Sequence, residues 1–262
     1  MSILCDKCRG EKRPQTICLV PCYNEEKRLP KFIASMRAQT VPVHILAVDD
    51  GSTDATSREM NRGCDYTIYS HENNWTKSFN KMVDYLAPEV ENYEYLMWGG
   101  ADEVHYPNSI EKRIKFCEEN DVDVVVAGTD QVFKDGKVMN WPDCLPQFER
   151  LKTADFSIAY MELMFRNFFP WPIFVRLKNV ALADVRMDET LFHLVDWDQN
   201  IRLAKKYKIG FLNEALQVEE WDDHNLSSPR QELYEEKSDE ARYIRFKQLV
   251  QQNNERRINE SK

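Results

Sequence analysis

Acidic side chains recur in this chain at the ends of short apolar runs. Three turns, 21–26 (PCYNEE), 49–54 (DDGSTD) and 100–103 (GADE), each follow such a run, and Asp196-Trp-Asp198 opens a later helical segment. Any one of them alone is better explained by helix capping, a role that Asp and Asn often fill. If they converge, however, their carboxylates repel one another unless a cation or hydrogen-bond donors lie between them. Together they therefore predict a divalent cation and a ligand that carries donor groups.

The elements between these turns predict that the turns meet at one place. Short apolar runs that end at turn residues indicate buried strands, and apolar residues three and four apart indicate helices. The strands are predicted over Thr16–Val20, Val43–Val48, Tyr66–Tyr69, Tyr93–Trp98 and Val122–Ala127, and the helices over Glu25–Ala38, Asp54–Arg62, Lys77–Leu86 and Ser109–Asn120. This alternation predicts an α/β fold with a mostly parallel central sheet flanked by helices. Ligands of such sheets bind beyond the carboxyl ends of the strands, where the three turns lie.

The second half of the chain is less regular. Asp135-Gly136 lies between two short apolar runs and predicts a hairpin, and residues 196–207 predict another helix. The segment 168–174 (FFPWPIF) has two interpretations, packing in the core or a surface for sugar rings or a lipid carrier. Residues 230–262 are rich in charge and predict a C-terminal helical region.

Composition narrows the class of protein. The 262 residues carry a net charge of −9, which argues against binding to nucleic acid. The seven cysteines are scattered, which favours the reducing cytosol over a disulfide framework. Cys5 and Cys8 are either half of a zinc site or part of a polar N-terminal lead. We find neither a signal peptide nor an apolar run long enough to span a membrane, so we expect a cytoplasmic chain, with peripheral contact at the inner face of the membrane as an alternative.

Five segments, in order, resemble the family 2 glycosyltransferases, which have the GT-A fold with its Rossmann-like sheet. The segments are 20–25 (VPCYNE), 47–54 (AVDDGSTD), 72–80 (ENNWTKSFN), 100–107 (GADEVHYP) and 187–204, the last of which contains MDETL and VDWD. The resemblance extends over about residues 15–228. One such motif is moderately specific, whereas five in the same order are a strong signal.

The resemblance implies an inverting enzyme that transfers a sugar from a nucleotide-diphosphate sugar, with UDP as the default nucleotide, to a hydroxyl of a glycan or lipid-linked acceptor. Asp196 would be the general base that takes the proton of the attacking hydroxyl. Asp102 would bind Mg²⁺ or Mn²⁺, which stabilises the departing diphosphate. Asp50 would accept a hydrogen bond from the nucleotide base. The donor-binding residues implied in this way are Pro21, Tyr23, Asn24, Glu25, Asp49, Asp50, Ser52, Lys77, Gly100 and Ala101.

The acceptor side and the metal site are less defined. The resemblance places Trp197 and Asp198 near the acceptor, and Trp171 joins them if the aromatic segment faces it. His224 is either structural or a second metal ligand. Gly100 stands where the family's metal motif has its first aspartate, so metal binding depends on Asp102, with Glu103 as an alternative second ligand.

Two further departures alter the neighbourhood of the site. Val195 stands where many relatives have Glu, which removes a polar neighbour of Asp196, and Trp75 stands where relatives usually have Gly, which would reshape the donor pocket.

We expect one domain with two functional halves. Residues 15–128 would bind the nucleotide sugar and residues 129–229 would hold the acceptor and the base, preceded by a lead at 1–14 and followed by the helical region at 230–262. A nucleotidyltransferase should have a Gly-rich phosphate loop after the first strand, where this chain has Cys22-Tyr-Asn-Glu, and a dehydrogenase should show G-x-G-x-x-G, which is absent. A non-catalytic module that binds nucleotide sugars is the remaining alternative, although it would need neither the base nor the metal.

Overall fold

One mixed sheet organises the part of the chain that the computed structural model describes, residues 14–72, 74–133, 135–139, 173–190 and 195–221. Its strands are β1 (Thr16–Cys22), β2 (Val43–Asp49), β3 (Tyr66–Tyr69), β4 (Tyr95–Trp98), β5 (Glu103–His105), β6 (Val124–Phe133), β7 (Val138–Met139), β8 (Ile173–Arg176) and β9 (Ile209–Trp221). The helices are α1 (Leu29–Arg37), α2 (Thr56–Gly63), α3 (Trp75–Leu86), α4 (Ser109–Asn120) and α5 (Val195–Lys206). Short 3₁₀ helices form at Ala87–Asn92 and Leu182–Val185.

The order of strands across the sheet is β3-β2-β1-β4-β8-β6-β9-β5, with β7 paired to β6. The first four strands are parallel, as the alternation of strands and helices predicts. β8 is antiparallel to both of its neighbours, β4 and β6, and β5 is antiparallel to β9. The α/β class and the mostly parallel sheet are thus confirmed.

The central strands are buried on both faces, which explains their uninterrupted apolar sequences. Because successive side chains of a strand point to opposite faces, Leu19 and Val20 of β1 enter different clusters. Leu19 packs with Phe79 of α3, and Val20 packs with Phe32 of α1. The strand ends are therefore held rigidly between two layers of helices.

Two helix boundaries differ from the predicted ones for local reasons. α1 begins at Leu29 rather than Glu25, because Asn24 has a φ of 57° and residues 25–28 form turns before Pro30 enters the first helical turn. α3 begins at Trp75 rather than Lys77, since the Asn74 side chain accepts a hydrogen bond from Lys77 N at 3.1 Å and so caps the helix.

Three strands were not predicted from the sequence. β5, β8 and β9 lack a clear alternation of apolar and polar residues, and β9 pairs with β6 through a register shift beside Gly128. β6 also continues to Phe133, so the expected division at residues 128/129 falls inside this strand. The hairpin at Asp135-Gly136 is confirmed by the pairing of β6 with β7.

Several expectations concern residues outside the described ranges. They include Trp171, His224, Cys5, Cys8 and the helical region at 230–262. Within the described residues, Cys18, Cys22, Cys64 and Cys117 are buried free thiols, as expected of a chain without a disulfide framework. Among the helices that the structure describes, none has the length and apolar character needed to cross a membrane.

Candidate active site

Three acidic turns lie side by side at the carboxyl edge of the parallel strands. β1 lies between β2 and β4, and the loops after all three leave the same edge of the sheet. Asp50 N donates to Cys22 O at 2.9 Å, and Gly99 N donates to Leu19 O at 2.9 Å, which continues the pairing to the start of each turn. The sheet thus brings Asp50 and the turn at 100–103 to either side of the segment that follows β1.

Asn24 joins the first turn to the second. Its backbone N–H donates to Ser52 Oγ at 2.9 Å, and its side-chain Oδ1 accepts from Thr53 N at 2.9 Å. Asn24 has left-handed backbone geometry, with a φ of 57°, which Asn tolerates better than most residues. The residue type is therefore set both by the backbone geometry and by the hydrogen bond that the side chain accepts from Thr53 N.

Replacing Asn24 tests these two roles separately. We expect Asn24→Ala to destabilise the protein by about 2 kcal/mol, since it loses the side-chain hydrogen bond and Ala tolerates the left-handed region less well than Asn. Asn24→Gly is the matched control, because it loses the same bond without the backbone cost and should be destabilised by about 1 kcal/mol. Urea unfolding measures both free energies, and equal losses in the two variants would contradict a role for the left-handed geometry.

Two acidic side chains near Asn24, those of Glu26 and Asp54, hold the two turns together. Glu26 N donates to Asp54 Oδ2 at 3.2 Å, and Glu26 Oε2 accepts from Ala55 N at 3.0 Å. Burial acts to raise the pKa of Asp54, but hydrogen bonds from the Thr56 hydroxyl and nearby amides outweigh it and lower that pKa. The Glu25 carboxylate is engaged by the guanidinium of Arg28 through two contacts of 2.7 Å.

The neighbouring acids Asp49 and Asp50 have different surroundings. Asp49 Oδ1 accepts from Ser52 N at 2.8 Å, and Asp49 Oδ2 accepts from the hydroxyl of Ser57. Asp50 is only 6% exposed, and its Oδ1 is buried without a hydrogen-bond partner. Asp49 therefore shapes the loop, whereas Asp50 has an acceptor atom that the protein leaves unsatisfied.

The turn after β4 places one acid at the edge and buries the next. Asp102 is half-buried, while Glu103 is 2% exposed and its Oε2 accepts from Gly100 N at 2.9 Å. Burial raises the pKa of Glu103 well above its ordinary value, and the charge of Asp102 raises it further. Glu103 is thus directed into the protein, away from the position expected of a second metal ligand.

Polar side chains continue inward from Glu103. His105 Nε2 lies 3.4 Å from Glu103 Oε2, and burial lowers the pKa of this imidazole to about 3. Arg113 of α4 is fully buried, which lowers its pKa to about 10, and it donates to Gln217 Oε1 of β9 at 2.5 Å. The positive charge of Arg113 acts on Glu103, and the hydrogen bond of Arg113 to Gln217 joins α4 to β9.

The other donor-side residues differ in exposure. Tyr23 is 51% exposed at the edge, whereas Ala101 is buried. The exposed amino group of Lys77 lies 3.4 Å from Glu72 Oε2. Pro21 belongs to β1 and pairs with Val48 of β2.

The first turn of α5 contains Asp196, Trp197 and Asp198. Asp196 is half-buried, and Asp198 binds Arg202 at 3.0 Å. Trp197 is only 4% exposed and lies in the hydrophobic cluster that also contains Trp98, the last residue of β4. The ring of Trp197 thus contributes to the core, and its cluster ties α5 to the strand that leads into the acidic turn.

The segment before α5 is fastened to α3 by the buried side chain of Asn80. Asn80 Oδ1 accepts from Met187 N at 2.9 Å, and Asn80 Nδ2 donates to Met187 O at 2.9 Å and to Glu189 Oε1 at 2.8 Å. From the other side, Arg202 of α5 donates to Arg186 O at 2.6 Å. One amide thus satisfies both backbone groups of Met187, so α3 and the approach to α5 are held in fixed register.

Metal-ligating side chains do not cluster in the described part of the chain. Nowhere in it do three His, Cys, Asp or Glu side chains meet as a metal site. Asp102, half-buried at this edge, could offer one carboxylate oxygen to a cation, and Mg²⁺ often takes only one or two carboxylates from a protein and completes its shell with water and substrate phosphates.

Comparison with known proteins identifies the family. The family model of glycosyl transferase family 2 matches residues 17–178, more than half of the chain. The chain belongs to this family. The prediction made from the five motifs is confirmed.

Relatives and solved structures place this family 2 chain among GT-A proteins. It is 29% identical over 141 residues to polyprenol monophosphomannose synthase of Mycolicibacterium smegmatis, a match that covers 49% of each chain. The S. aureus TarS 1–349 structure in complex with UDP-GlcNAc has a TM-score of 0.62 at 17% identity, covering 80% of this chain and 60% of TarS 1–349. The mannosyltransferase PcManGT of Pyrobaculum calidifontis, in complex with GDP-Man and Mn²⁺, has a TM-score of 0.57 at 13% identity, covering 81% of this chain and 59% of PcManGT. The chain thus has the GT-A fold, and it spans about half to three-fifths of the length of these proteins.

Sequence reasoning missed two residues that organise the site. Asn80 was noted only as part of a motif, and Glu103 was considered as a metal ligand. Neither role is visible in the sequence, because each depends on a partner brought close by the fold. The available signal is weak, because Asn80 shares the buried face of α3 with two other polar residues, Thr76 and Ser78.

Proposed function

We propose that this family 2 chain is an inverting glycosyltransferase that moves a sugar from a UDP-sugar to a hydroxyl of a glycan or lipid-linked acceptor. The observation that carries the proposal is the buried, unsatisfied Oδ1 of Asp50 at the carboxyl edge of the sheet. Leaving such an atom unpaired costs about 1–3 kcal/mol, so a donor from a ligand is its natural partner. The N3–H of uracil is a donor of the required kind.

Asp196 is the general base in this proposal. It would take the proton of the acceptor hydroxyl as the oxygen attacks the anomeric carbon. A single base is sufficient for direct displacement, which inverts the anomeric centre. Trp197, the next residue, belongs to the same hydrophobic cluster as Trp98 at the end of β4, so the first turn of α5 is packed on the face of the sheet to which Trp98 points.

Asp102 is the metal ligand in this proposal. Its half-buried carboxylate offers the oxygen donor that Mg²⁺ and Mn²⁺ prefer. When bound there, the ion supplies Lewis-acid stabilisation of the departing nucleoside diphosphate. Asn24, Ser52 and the turn around Gly100 would then line the remainder of the donor site.

The relatives support a range of substrates. TarS was solved with UDP-GlcNAc and PcManGT with GDP-Man and Mn²⁺. These precedents support uracil, with guanine as the alternative base, and both bases carry ring N–H donors. A relative named polyprenol monophosphomannose synthase favours a lipid-linked acceptor, which would place the enzyme in the cytoplasm at the inner face of a membrane. A nucleotidyltransferase or a non-catalytic binding protein would use the same edge without Asp196.

Asp50 provides the test of base recognition. We expect wild-type protein to bind UDP more tightly than CDP, because N3 of cytosine is an acceptor and would face the Asp50 carboxylate. Asp50→Ala should weaken UDP binding by about 10- to 100-fold, the worth of a hydrogen bond to a charged group. Calorimetry with UDP, GDP and CDP measures these affinities.

Asp50→Asn is the matched control, because the Asn side chain has nearly the same shape as Asp but can also donate a hydrogen bond. Its amide can donate to cytosine, so the preference for UDP over CDP should shrink or reverse while the fold is retained. An unchanged ratio of UDP to CDP affinity in Asp50→Asn would contradict the assignment of Asp50 to the base.

A further inference from the structure

A buried residue, Glu103, makes the hydrogen bonds that hold the backbone of the turn after β4. Glu103 N donates to Gly100 O at 3.1 Å, and Glu103 Oε2 accepts from Gly100 N at 2.9 Å. One residue therefore binds the backbone N–H and C=O of Gly100. In addition, Glu220 N of β9 donates to Asp102 O at 3.0 Å, so the turn is anchored at its middle as well.

The Asp102 carboxylate lies over Gly100 in space that a side chain would require. A Cβ built at position 100 would come within 2.4 Å of Asp102 Oδ1 and 3.3 Å of Glu103 Cδ. A contact of 2.4 Å is too short, so a side chain at position 100 would force the Asp102 carboxylate to move. Asp102 can keep this position only if residue 100 is Gly and its backbone does not shift. The placement of Asp102 thus depends on the placement of Gly100.

Glu103 is itself held by its surroundings. β5 pairs with β9 through Glu103 and Glu219, His105 Nε2 lies 3.4 Å from its carboxyl, and the positive charge of Arg113 acts on it. Arg113 is in turn fixed by Gln217. A group packed in this way cannot swing out to a ligand, but it can fix the backbone that it binds.

We propose that Glu103 is a positioning residue for divalent-metal binding: by holding the Gly100 N–H, it fixes the turn from which Asp102 presents its carboxylate. The inference rests on the proposed function, in which Asp102 binds the metal. It gives a reason why the chain can use Gly100 where the related motif has an aspartate. A single carboxylate that is held rigidly loses less freedom on binding than one on a mobile turn.

Two variants of Glu103 separate this role from packing. Glu103→Gln keeps an oxygen that accepts the Gly100 N–H, whereas Glu103→Met keeps a similar volume and removes the acceptor. Calorimetry with UDP is carried out in Mn²⁺ and again in EDTA. We expect Glu103→Gln to bind UDP in Mn²⁺ like wild type, and Glu103→Met to lose about 10- to 100-fold, the usual cost of removing a group that supports a metal ligand. Both variants should match wild type in EDTA, which a general loss of structure would not allow.

The outcomes distinguish the inference from the proposed function. If Glu103→Met binds UDP in Mn²⁺ as tightly as wild type does, the role of Glu103 is overturned and the proposed function is not affected. If Mn²⁺ has no effect on UDP binding by wild type, the metal site is overturned and this inference with it. If Glu103→Met does not fold, amide hydrogen exchange of wild type decides. The Gly100 amide should be protected without ligand, and free exchange there would refute the inference.

Discussion

Asp196→Asn should bind UDP like wild type and transfer sugar about 10²- to 10⁴-fold more slowly, the range that a positioned base contributes. The substitution keeps the shape of the side chain but removes its capacity to take the proton of the acceptor hydroxyl. The rate is measured as UDP release, with the donor that wild type turns over in a panel of nucleotide sugars. Calorimetry with UDP reports binding independently.

Lys206→Gln is the control on the same helix. Lys206 is an exposed residue at the end of α5 that pairs with Asp184, so its replacement should leave most of the transfer rate. Near-normal turnover in Asp196→Asn would remove Asp196 from the role of base. Equal losses of rate in both variants would instead point to damage to α5.

Asp102→Ala should abolish the contribution of metal to nucleotide binding. UDP affinity in Mn²⁺ should fall by about 100-fold or more, because removal of a metal ligand costs more than the 10- to 100-fold typical of a residue that only supports a ligand. The affinity should then equal that of wild type in EDTA. The affinity of the variant in EDTA should stay close to that of wild type, because its contacts to the nucleoside remain. Calorimetry under both conditions makes the comparison.

Asp84→Ala serves as the control for Asp102→Ala. Asp84 is an exposed acid of α3 that pairs with Arg186 outside the sheet edge. Its removal changes the net charge by the same amount, so any general electrostatic effect on Mn²⁺·UDP should appear in both variants. Unchanged affinity of Asp102→Ala in Mn²⁺ would exclude Asp102 as a ligand.

The sequence predicts the half of the fold that depends on local signals. β1, β2 and β3 have short apolar runs ended by turn residues, and α4 begins and ends where its periodicity predicts. β8 and β9 were missed because their place in the sheet is decided by neighbours far away in the chain. β8, for example, is a four-residue strand inserted between β4 and β6.

Part of the candidate site can likewise be predicted from the sequence, and part depends on packing between distant residues. The sequence predicts that Asp50 and Asp102 lie at the carboxyl edge of a parallel sheet, because both follow strands in a strand–helix alternation. The strand order that places their turns on either side of β1 comes from the structure. The inward direction of Glu103 and the two-sided bond of Asn80 to Met187 depend on side-chain packing across the sheet. Chemical type alone could not separate Asp102, at the edge, from its buried neighbour.

The contact between Asn80 and Met187 has a consequence for how the protein folds. It joins residues 107 positions apart, so a long loop must close before the bond can form. The pairings among β1 to β4 close shorter loops, the longest of which runs from Thr16 in β1 to Tyr95 in β4, so these strands can assemble first. We therefore expect the helix that carries Asp196 to dock late, and a folding intermediate would bind nucleotide before it could transfer a sugar.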